Sequence, residues 1–459
     1  METILNALSY ILPVVLALGI LVFVHELGHF LTAKLFKMRV EQFSIGFPPK
    51  IVSKKIGDTE YRIGATPLGG YVKISGMVDE SMDAEFAASE PKPWEFRSKP
   101  VWQRMIVISA GVVFNLVLAA FIFVGLKYAY GEDYVPADRV PSIYVEEGSV
   151  AYGIGFRTGD RVWAVNGDNI ERFDEILGLR SLAADQATFT VERQGQIQIL
   201  TAPEDLVTQL TRERGSGIFG AGIYGEPYVQ VLSVNADDAG ALAGLQRGDK
   251  VLLVDGYPVR ISSELINVIK RSEGKSIELT VARTTDEGTE RLVLPAQPEM
   301  SDGDYRLGIG VVTRDLIFDN PQIYEHRPYG VGEAIVAGFK SAWESTVATV
   351  QSFKKLATGK ESLKENLGGP VIIGKVTKEA LDRGWEQFWF IVAMLSITLA
   401  FINILPIPAL DGGHLVFLVY EAIARKEPPL RLRMAVQQVG MVLILTLMAF
   451  LIVNDILRL

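Results

Sequence analysis

The sequence predicts a polytopic α-helical membrane protein with four transmembrane helices and two small α+β domains outside the membrane. Four apolar segments are each long enough to cross a bilayer, which takes about 20 residues. A polar region between the second and third segments contains an internal repeat of short predicted strands. Ionisable side chains inside two of the apolar segments indicate a buried polar site, because such groups are costly at membrane depth.

The composition agrees with apolar spans joined to a polar region. The 459-residue chain is 49% hydrophobic and still carries 22% charged residues. Its formal net charge of −9 argues against nucleic acid as a partner, because phosphate binding needs basic patches. The chain has no cysteine, which excludes disulfides and thiolate chemistry.

The four predicted spans cover residues 4–35, 101–126, 388–423 and 436–453. The first is too long for a cleaved signal peptide, and no basic segment precedes it. Lysines and arginines cluster in the loops that follow the first span, precede the second and join the third to the fourth. Because short basic loops stay in the cytoplasm, we expect both termini and the region between the second and third spans to face the opposite side.

Two copies of one motif lie in that polar region. The segment 155–162 (GFRTGDRV) matches 244–251 (GLQRGDKV), and 165–167 (VNG) matches 254–256 (VDG) at the same offset. A Gly-Asp pair, an apolar strand and an Asn-Gly or Asp-Gly turn are typical of a β-hairpin. The pattern resembles PDZ domains and predicts two of them in tandem.

The two PDZ-like α+β domains are predicted over residues 128–222 and 223–320. The second matches the pattern better, because the alanines before its motif fit a short helix. PDZ domains bind peptides as an added strand, so peptide C-termini are one expected partner. The alternative is that both domains are spacers that bind no ligand.

Residues 321–384 are predicted to form an amphipathic helical segment on the same side as the repeats. Apolar side chains recur there at helical spacing and form one stripe: Val336, Phe339, Trp343, Val347 and Val350. The stripe can lie on the membrane surface or pack against the PDZ-like domains, and the sequence does not decide between the two.

The first span contains an H-E-x-x-H motif, His25-Glu26-Leu27-Gly28-His29. On a helix, positions i and i+4 share a face, so both imidazoles can reach one ion. Glu26 lies beside them and can act as a general base on water bound to the metal. Zinc suits imidazole ligands and lowers the pKa of bound water to about 7. The membrane location favours a metal centre over a chance pair of helix-surface histidines.

A catalytic zinc site needs a third protein ligand, and the third span supplies three candidates, Asn403, Asp411 and His414. Pro406 and Pro408 break the helix there, and lipid tolerates such a break only where protein or water satisfies the backbone. The break is therefore expected to line a cavity. Asp411 lies just beyond it and can carry a carboxylate to the metal. His414, one helical turn further, remains a competing third ligand.

Together these motifs resemble those of the site-2 protease family: H-E-x-x-H in an early span, and N-x-x-P-x-P-x-L-D-G, here residues 403–412, in a late one. The four spans and the tandem repeat extend the resemblance over essentially the whole chain. It implies an intramembrane zinc metalloprotease. Residues 1–127 would hold the first two spans and a β-rich cytoplasmic loop, and residues 385–459 the last two spans.

The resemblance implies a role for each site residue. His25, His29 and Asp411 would bind Zn²⁺, while Glu26 would be the general base and later the proton donor. A further set would bind substrate, with its asparagine holding the substrate backbone near the metal: Asn403, Pro406, Pro408, Gly46 and Phe47.

The substrate is expected to bind in an extended form, because in a helix the carbonyl of each peptide bond is hydrogen-bonded within the helix and shielded from attack. Predicted strands at 40–47 and 71–74, with a turn at Gly69-Gly70, offer backbone groups for pairing. In the resembled family a loop at this place re-enters the membrane and pairs with the substrate. The alternative is a cytoplasmic cap that does not contact substrate.

Location and partners are also implied by the resemblance. The protein would lie in a bacterial inner membrane, with both termini and the PDZ-like domains in the periplasm and the active site near the cytoplasmic face. Its substrate would be a single-pass membrane protein of the anti-sigma-factor type, already cut by a site-1 protease, or a signal-peptide remnant. The tandem domains would exclude substrates with bulky, untrimmed outer domains.

Three other functions fit parts of the sequence. A divalent-metal transporter also places His and Asp inside a membrane, but it should show inverted repeated halves, which this sequence lacks. A non-catalytic PDZ scaffold does not need Glu26 and Asp411. A soluble metalloprotease tethered to the membrane would carry its H-E-x-x-H motif outside the apolar span.

Overall fold

The structure, a computed structural model, describes residues 2–77, 90–212, 217–285, 288–301, 303–361 and 368–458. The chain divides into two compact units. The first combines Met1–Glu132 with Arg327–Leu459, and the second is Asp133–His326.

Within its described residues, the first unit is built from seven helices and one sheet. Four of its helices contain a stretch that is long and apolar enough to cross a membrane: Leu12–Leu35, Val101–Tyr130, Trp385–Ile404 and Leu430–Asp455. Among the described residues the helices of this unit are α1 (Glu2–Leu35), α2 (Val101–Tyr130), α9 (Val331–Ala357), α10 (Pro370–Arg383), α11 (Trp385–Ile404), α12 (Asp411–Ala424) and α13 (Leu430–Arg458). A polytopic membrane protein with additional sheet-rich regions is thereby confirmed as the fold class.

The third apolar segment forms two helices, so its predicted extent of 388–423 was too long. α11 ends at Ile404 and α12 begins at Asp411. The turn between them contains Pro406 and Pro408, which lack the backbone N–H that a continuous helix needs. The break places the first residue of α12, an aspartate, beside the end of α11.

Small residues allow the helices of this unit to approach closely. A side chain at Gly28 of α1 would meet the carbonyl oxygen of Ala110 in α2 at 2.6 Å, and one at Gly338 of α9 would meet the backbone nitrogen of Val124 at 2.5 Å. Such contacts are typical of helices in membranes, where packing replaces the hydrophobic effect. α2 therefore contacts α1 on one side and α9 on another.

The apolar stripe predicted in the segment after the repeats lies on α9. Its buried face consists of small residues, among them Ala334, Gly338 and Ala342, which recur at every fourth position. The larger members of the stripe are exposed: Val336, Phe339, Trp343 and Val350. α9 packs on α2 through its small residues, and its large apolar side chains remain free to contact lipid or another partner.

The sheet of the first unit comprises two long strands, β1 (Val40–Ile56) and β2 (Thr59–Ile74). Residues 42–45 are paired on both sides, with 60–63 and with 70–73. The two strands therefore fold into four segments in the order 50–56, 59–66, 40–47 and 70–74. The ring of Phe43 packs against Phe23 and Phe30 of α1 and attaches the sheet to that helix.

The two largest sheets of the second unit correspond to the two sequence repeats. The first sheet has the order β6-β5-β7-β8 and the second β14-β13-β11-β10-β17, with β12 paired to β11. The strands of the first are β5 (Arg161–Val165), β6 (Asp168–Asn169), β7 (Thr188–Arg193) and β8 (Gln196–Thr201). Those of the second are β10 (Pro227–Val234), β11 (Lys250–Val254), β12 (Tyr257–Pro258), β13 (Ile277–Thr285), β14 (Gly288–Ala296) and β17 (Ile309–Asp315).

Short elements complete the second unit and its junctions. The helices are α3 (Val150–Ile154), α4 (Leu179–Ala183), α5 (Leu206–Arg212), α6 (Gly217–Gly220), α7 (Ala239–Leu242) and α8 (Ser262–Arg271). The remaining strands are β3 (Glu132–Tyr134), β4 (Tyr144–Val145), β9 (Ile223–Tyr224), β15 (Glu299–Ser301), β16 (Asp304–Arg306) and β18 (Glu325–Arg327). The predicted hairpins after each Gly-Asp pair and the short helix before the second are confirmed by β5–β6, β11–β12 and α7.

The repeated Gly-Asp motif fulfils the same structural role in both sheets. Asp160 is fully buried and accepts two hydrogen bonds of 2.7 Å from the guanidinium of Arg193, which also donates to the carbonyl oxygen of Gly155. Asp249 is held in the same way by Arg283, at 2.8 and 2.7 Å. Asp160 thus ties the turn before β5 to the neighbouring strand β7, and Asp249 ties the turn before β11 to the neighbouring strand β13.

Replacement of Arg283 by Met should destabilise the second sheet by about 3 kcal/mol or more, because the carboxylate of Asp249 would remain buried without its partner. Arg247→Met, which removes an exposed arginine from the same turn, is the matched control. Hydrogen exchange of the full-length protein in detergent should then show β11 and β13 exchanging roughly 100-fold faster in the Arg283 variant alone. Equal exchange in both variants would exclude a stabilising role for the pair.

Candidate metal centre

Two histidines of α1 and the first residue of α12 meet inside the first unit. His25 Nε2 lies 3.2 Å from His29 Nε2 and 3.2 Å from Asp411 Oδ2, and His29 Nε2 lies 3.4 Å from the same oxygen. Both histidines are buried and Asp411 is mostly buried. Among the described residues this is the one group of three or more potential ligands whose atoms can hold a metal ion.

The hydrogen bond of His29 to the backbone defines its tautomer, and in the neutral ring that tautomer leaves a lone pair on Nε2. His29 Nδ1 lies 2.8 Å from the carbonyl oxygen of Val107. A carbonyl only accepts hydrogen bonds, so Nδ1 carries the ring proton. Asp411 Oδ2 is buried and has no well-formed hydrogen bond within the described part of the chain. Lone pairs that converge in this way repel one another unless a cation lies between them.

The separations of the three atoms fit zinc. In a tetrahedral site with metal–ligand distances of about 2.0–2.1 Å, neighbouring ligand atoms are about 3.3–3.4 Å apart. The three distances found here are 3.2, 3.2 and 3.4 Å. Two imidazoles and one carboxylate form one face of such a tetrahedron and leave the fourth position open, as catalytic zinc sites require.

The helix break positions Asp411. Ala409 has a φ of 72°, in the left-handed region that non-glycine residues seldom adopt, and the chain reverses there into α12. Gly413 allows the turn to fold against the new helix, since a side chain at that position would meet the carbonyl oxygen of Ile407 at 2.6 Å. Asp411, the first residue of α12, therefore follows directly after the turn that contains the two prolines.

A glycine of α2 makes room for the two imidazoles. A side chain at Gly111 would lie 2.5 Å from His25 Cε1 and from His29 Nε2. Val107, whose carbonyl accepts from His29, lies one helical turn before this glycine, on the same face of α2. α2 therefore forms the back wall of the site.

Glu26 borders the site from the side of the sheet. It is only partly buried, and its carboxylate interacts electrostatically with His25, His29 and Asp411. A side chain at Gly70 would lie 3.3 Å from Glu26 Cγ. The outer segment 70–74 of the sheet therefore runs beside the glutamate.

The other predicted site residues surround the break. Asn403, near the end of α11, places its amide nitrogen 3.4 Å from His25 Nε2. Pro406 is exposed in the turn, whereas Pro408 packs against Gly440 of α13. His414 is held by a different partner, since its Nε2 lies 2.8 Å from the amide nitrogen of Gln437. The cluster of potential ligands contains Asp411 and not His414.

Gly46 and Phe47 lie on the inner segment 40–47, not on an edge of the sheet. Phe47 pairs with Thr66, and its ring lies over Gly69. Their backbone therefore faces neighbouring segments, and the edge nearest the metal group is 70–74. Analysis of the sequence named the turn at Gly69-Gly70 but did not single it out as a site.

Comparisons with known proteins agree over nearly the whole chain. The model of peptidase family M50 matches residues 13–447. The chain is 34% identical to a putative zinc metalloprotease of Vibrio cholerae, over 97% of this chain and 98% of the relative. It is 32% identical to the regulator of sigma-E protease RseP of Escherichia coli, again over 97% and 98%. A putative zinc metalloprotease of Nostoc is 29% identical over 97% and 95%.

A methyl group at Gly111 should abolish metal binding, because it would occupy the space of both imidazoles. We expect Gly111→Ala to lose bound zinc when the purified protein is analysed by atomic absorption. Gly125→Ala is the matched control on the same helix, since a side chain there meets no atom within 4 Å. A Gly111 variant with a full complement of zinc would contradict the geometry described above.

Proposed function

The chain belongs to peptidase family M50, the site-2 proteases. On that premise we propose a role in peptide-bond hydrolysis for each residue of the site. The protein is an intramembrane zinc metalloprotease. The observation that carries the assignment of residues is the triangle of His25 Nε2, His29 Nε2 and Asp411 Oδ2, with sides of 3.2–3.4 Å.

His25, His29 and Asp411 would hold the zinc ion, and Glu26 is the general base. A zinc ion held there would supply Lewis-acid polarisation of the scissile carbonyl and make the attacking water more acidic. Glu26 removes the proton from that water and passes it to the leaving amine. Its carboxylate suits this task, because it lies close enough to His25 and His29 to interact electrostatically with both.

The substrate pairs as an extended strand with the edge segment 70–74. Residues 42–45 occupy the inner side of this segment, and no described residue pairs with its outer side. An unwound substrate needs partners for its freed backbone groups, and a free edge supplies them. Gly70 brings this edge within van der Waals reach of Glu26. Phe47 and Gly46 support the edge from inside the sheet.

Asn403 holds the substrate backbone near the metal group. Its amide nitrogen lies 3.4 Å from His25 Nε2, which places the side chain beside the candidate ligands. Pro406 and Pro408 prevent helical hydrogen bonding in the turn beside Asn403, which leaves this turn open to a peptide.

The two repeats of the second unit are PDZ-like domains, over residues 128–222 and 223–320. The shared Asp–Arg pairs and hairpins support a common fold for both. In the second, β17 is an edge strand beside α8, where the Ser262 amide nitrogen donates to Thr313 Oγ1 at 2.9 Å. This edge is the place where a peptide C-terminus would add as a strand.

The enzyme lies in a bacterial inner membrane, with both termini and the PDZ-like domains in the periplasm and the metal centre near the cytoplasmic face. The basic loops at 34–55, 92–104 and 425–433 support this orientation. Its substrate is a single-pass membrane protein of the anti-sigma-factor type, trimmed beforehand by a site-1 protease. The similarity to a regulator of sigma-E protease supports this class of substrate.

Glu26→Gln should retain zinc and lose cleavage by at least 100-fold, because general-base catalysis contributes about that much or more. The assay is co-expression with a tagged, pre-trimmed single-pass substrate, followed by the size of its fragment. Glu386→Gln, at an exposed position near the start of α11, is the control and should cleave normally. Normal cleavage by the Glu26 variant would remove the general-base role.

Gly70→Val should slow cleavage without loss of zinc, since the added side chain would meet Ser44 O at 2.7 Å and Val22 Cγ1 at 2.9 Å and displace the edge from Glu26. Gly19→Val in α1, where the space within 4 Å is empty, provides the control. Initial rates in detergent and zinc content are measured side by side. A rate equal to that of the control variant would mean that substrate does not use this edge.

A further inference from the structure

One polar side chain of α2 points at the metal group from behind. Asn115 is fully buried within an apolar helix. Its side-chain nitrogen lies 3.3 Å from His25 Nδ1, the ring nitrogen that faces away from Asp411. Its backbone carbonyl oxygen accepts a hydrogen bond of 2.8 Å from Ser396 of α11. A buried amide in a membrane span is costly, so its position requires a reason.

The protons of His25 give that reason. His25 can bind a cation through Nε2 only if that atom carries a lone pair, which places the ring proton on Nδ1. An Nδ1–H group needs an acceptor, but the amide nitrogen of Asn115 is a donor. Asn115 Oδ1, by contrast, is buried without a hydrogen-bond partner among the residues that the structure describes. A half-turn of the amide group exchanges its two ends and brings Oδ1 to Nδ1 with no change in shape.

The other imidazole has the corresponding arrangement. His29 Nδ1 donates to the carbonyl oxygen of Val107. Residues 107, 111 and 115 are spaced by four and lie along one face of α2. Val107 supplies an acceptor for His29, the side-chain amide of Asn115 faces Nδ1 of His25, and the glycine between them provides the space that both rings occupy. One face of α2 thus supports both histidines from behind.

We propose that Asn115 is a positioning residue whose Oδ1 accepts the Nδ1 proton of His25, which fixes the tautomer of that ring and directs Nε2 at the cation. Outer partners of this kind orient metal-binding histidines and increase their basicity. The inference rests on the proposed role of His25 as a zinc ligand. It assigns Asn115 no contact with the substrate.

The test is the zinc affinity of the purified full-length protein, measured by competition with a chelator and without any proteolysis assay. Asn115→Leu keeps the approximate size and removes the acceptor, and Asn115→Asp keeps an acceptor in the same place. We expect zinc binding to weaken 10–100-fold in the Leu variant. The Asp variant should bind zinc at least as tightly as the unaltered protein.

Asn115→Ala also removes the acceptor. If the Leu variant fails to fold, the zinc affinities of the Ala and Asp variants are compared instead. Thermal unfolding of the zinc-free proteins shows whether each variant is folded. Equal affinity of the folded Leu or Ala variant and the unaltered protein would overturn the proposal. So would equal weakening in the Asp variant, since that result would mean that the amide acts as a donor or only fills space.

His25→Ala separates this inference from the function on which it rests. If His25→Ala loses zinc but the folded Asn115 variants bind it with full affinity, the proposed role of Asn115 is wrong and the proposed ligand set stands. Full zinc affinity in His25→Ala would contradict the proposed ligand set itself. A cobalt(II)-loaded sample gives a spectroscopic check, since its visible absorption should change in Asn115→Leu and persist in Asn115→Asp.

Discussion

The close approach of three electron-rich atoms is the constraint that organises the first unit. Two imidazole nitrogens and a carboxylate oxygen lie 3.2–3.4 Å apart in the interior of a bundle of apolar helices. Such atoms repel one another at low dielectric unless a cation neutralises them. The rest of the bundle is arranged to hold them there, through a helix break that delivers Asp411 and a glycine in α2 that admits both rings.

The same constraint explains where this unit departs from regular structure. Ala409 adopts a positive φ, and two prolines interrupt the third apolar segment directly before the aspartate. Strained backbone persists only where its surroundings determine it, and it gathers at functional sites. Glu26 lies beside segment 70–74, whose outer side pairs with no residue that the structure describes. The three candidate ligands, the proposed base and this segment therefore meet at one place although they come from distant parts of the chain.

Much of this site could be predicted from the sequence, because each main ligand lies in a motif. H-E-x-x-H places two histidines on one helix face by spacing alone, and Asp411 follows a pair of prolines in a late span. Spacing alone could not decide between Asp411 and His414, since the choice depends on which face of α12 turns towards α1; only the resemblance to the site-2 protease family implied Asp411. Asn115 carried a usable signal, as a polar residue in an apolar span. Gly111 and Gly70 carried none, because the need for a small residue appears only when helices and sheet are packed.

The second unit shows the same limit. The repeated Gly-Asp motif predicted the hairpins and the tandem arrangement, but it gave no hint of Arg193 and Arg283, which lie more than 30 residues further along and hold the aspartates. The inner position of residues 40–47 was equally hidden, since it follows from the pairing of segments across the sheet. Contacts between residues that are far apart in the chain produce no recognisable pattern in a single sequence.

Anomalous diffraction at the zinc edge from crystals of the full-length protein tests the central claim most directly. The account predicts one strong peak at about 2.0–2.1 Å from His25 Nε2, His29 Nε2 and a carboxylate oxygen of Asp411. A zinc peak bound by His414 in place of Asp411, or no peak beside the two histidines in a zinc-replete active sample, would contradict it.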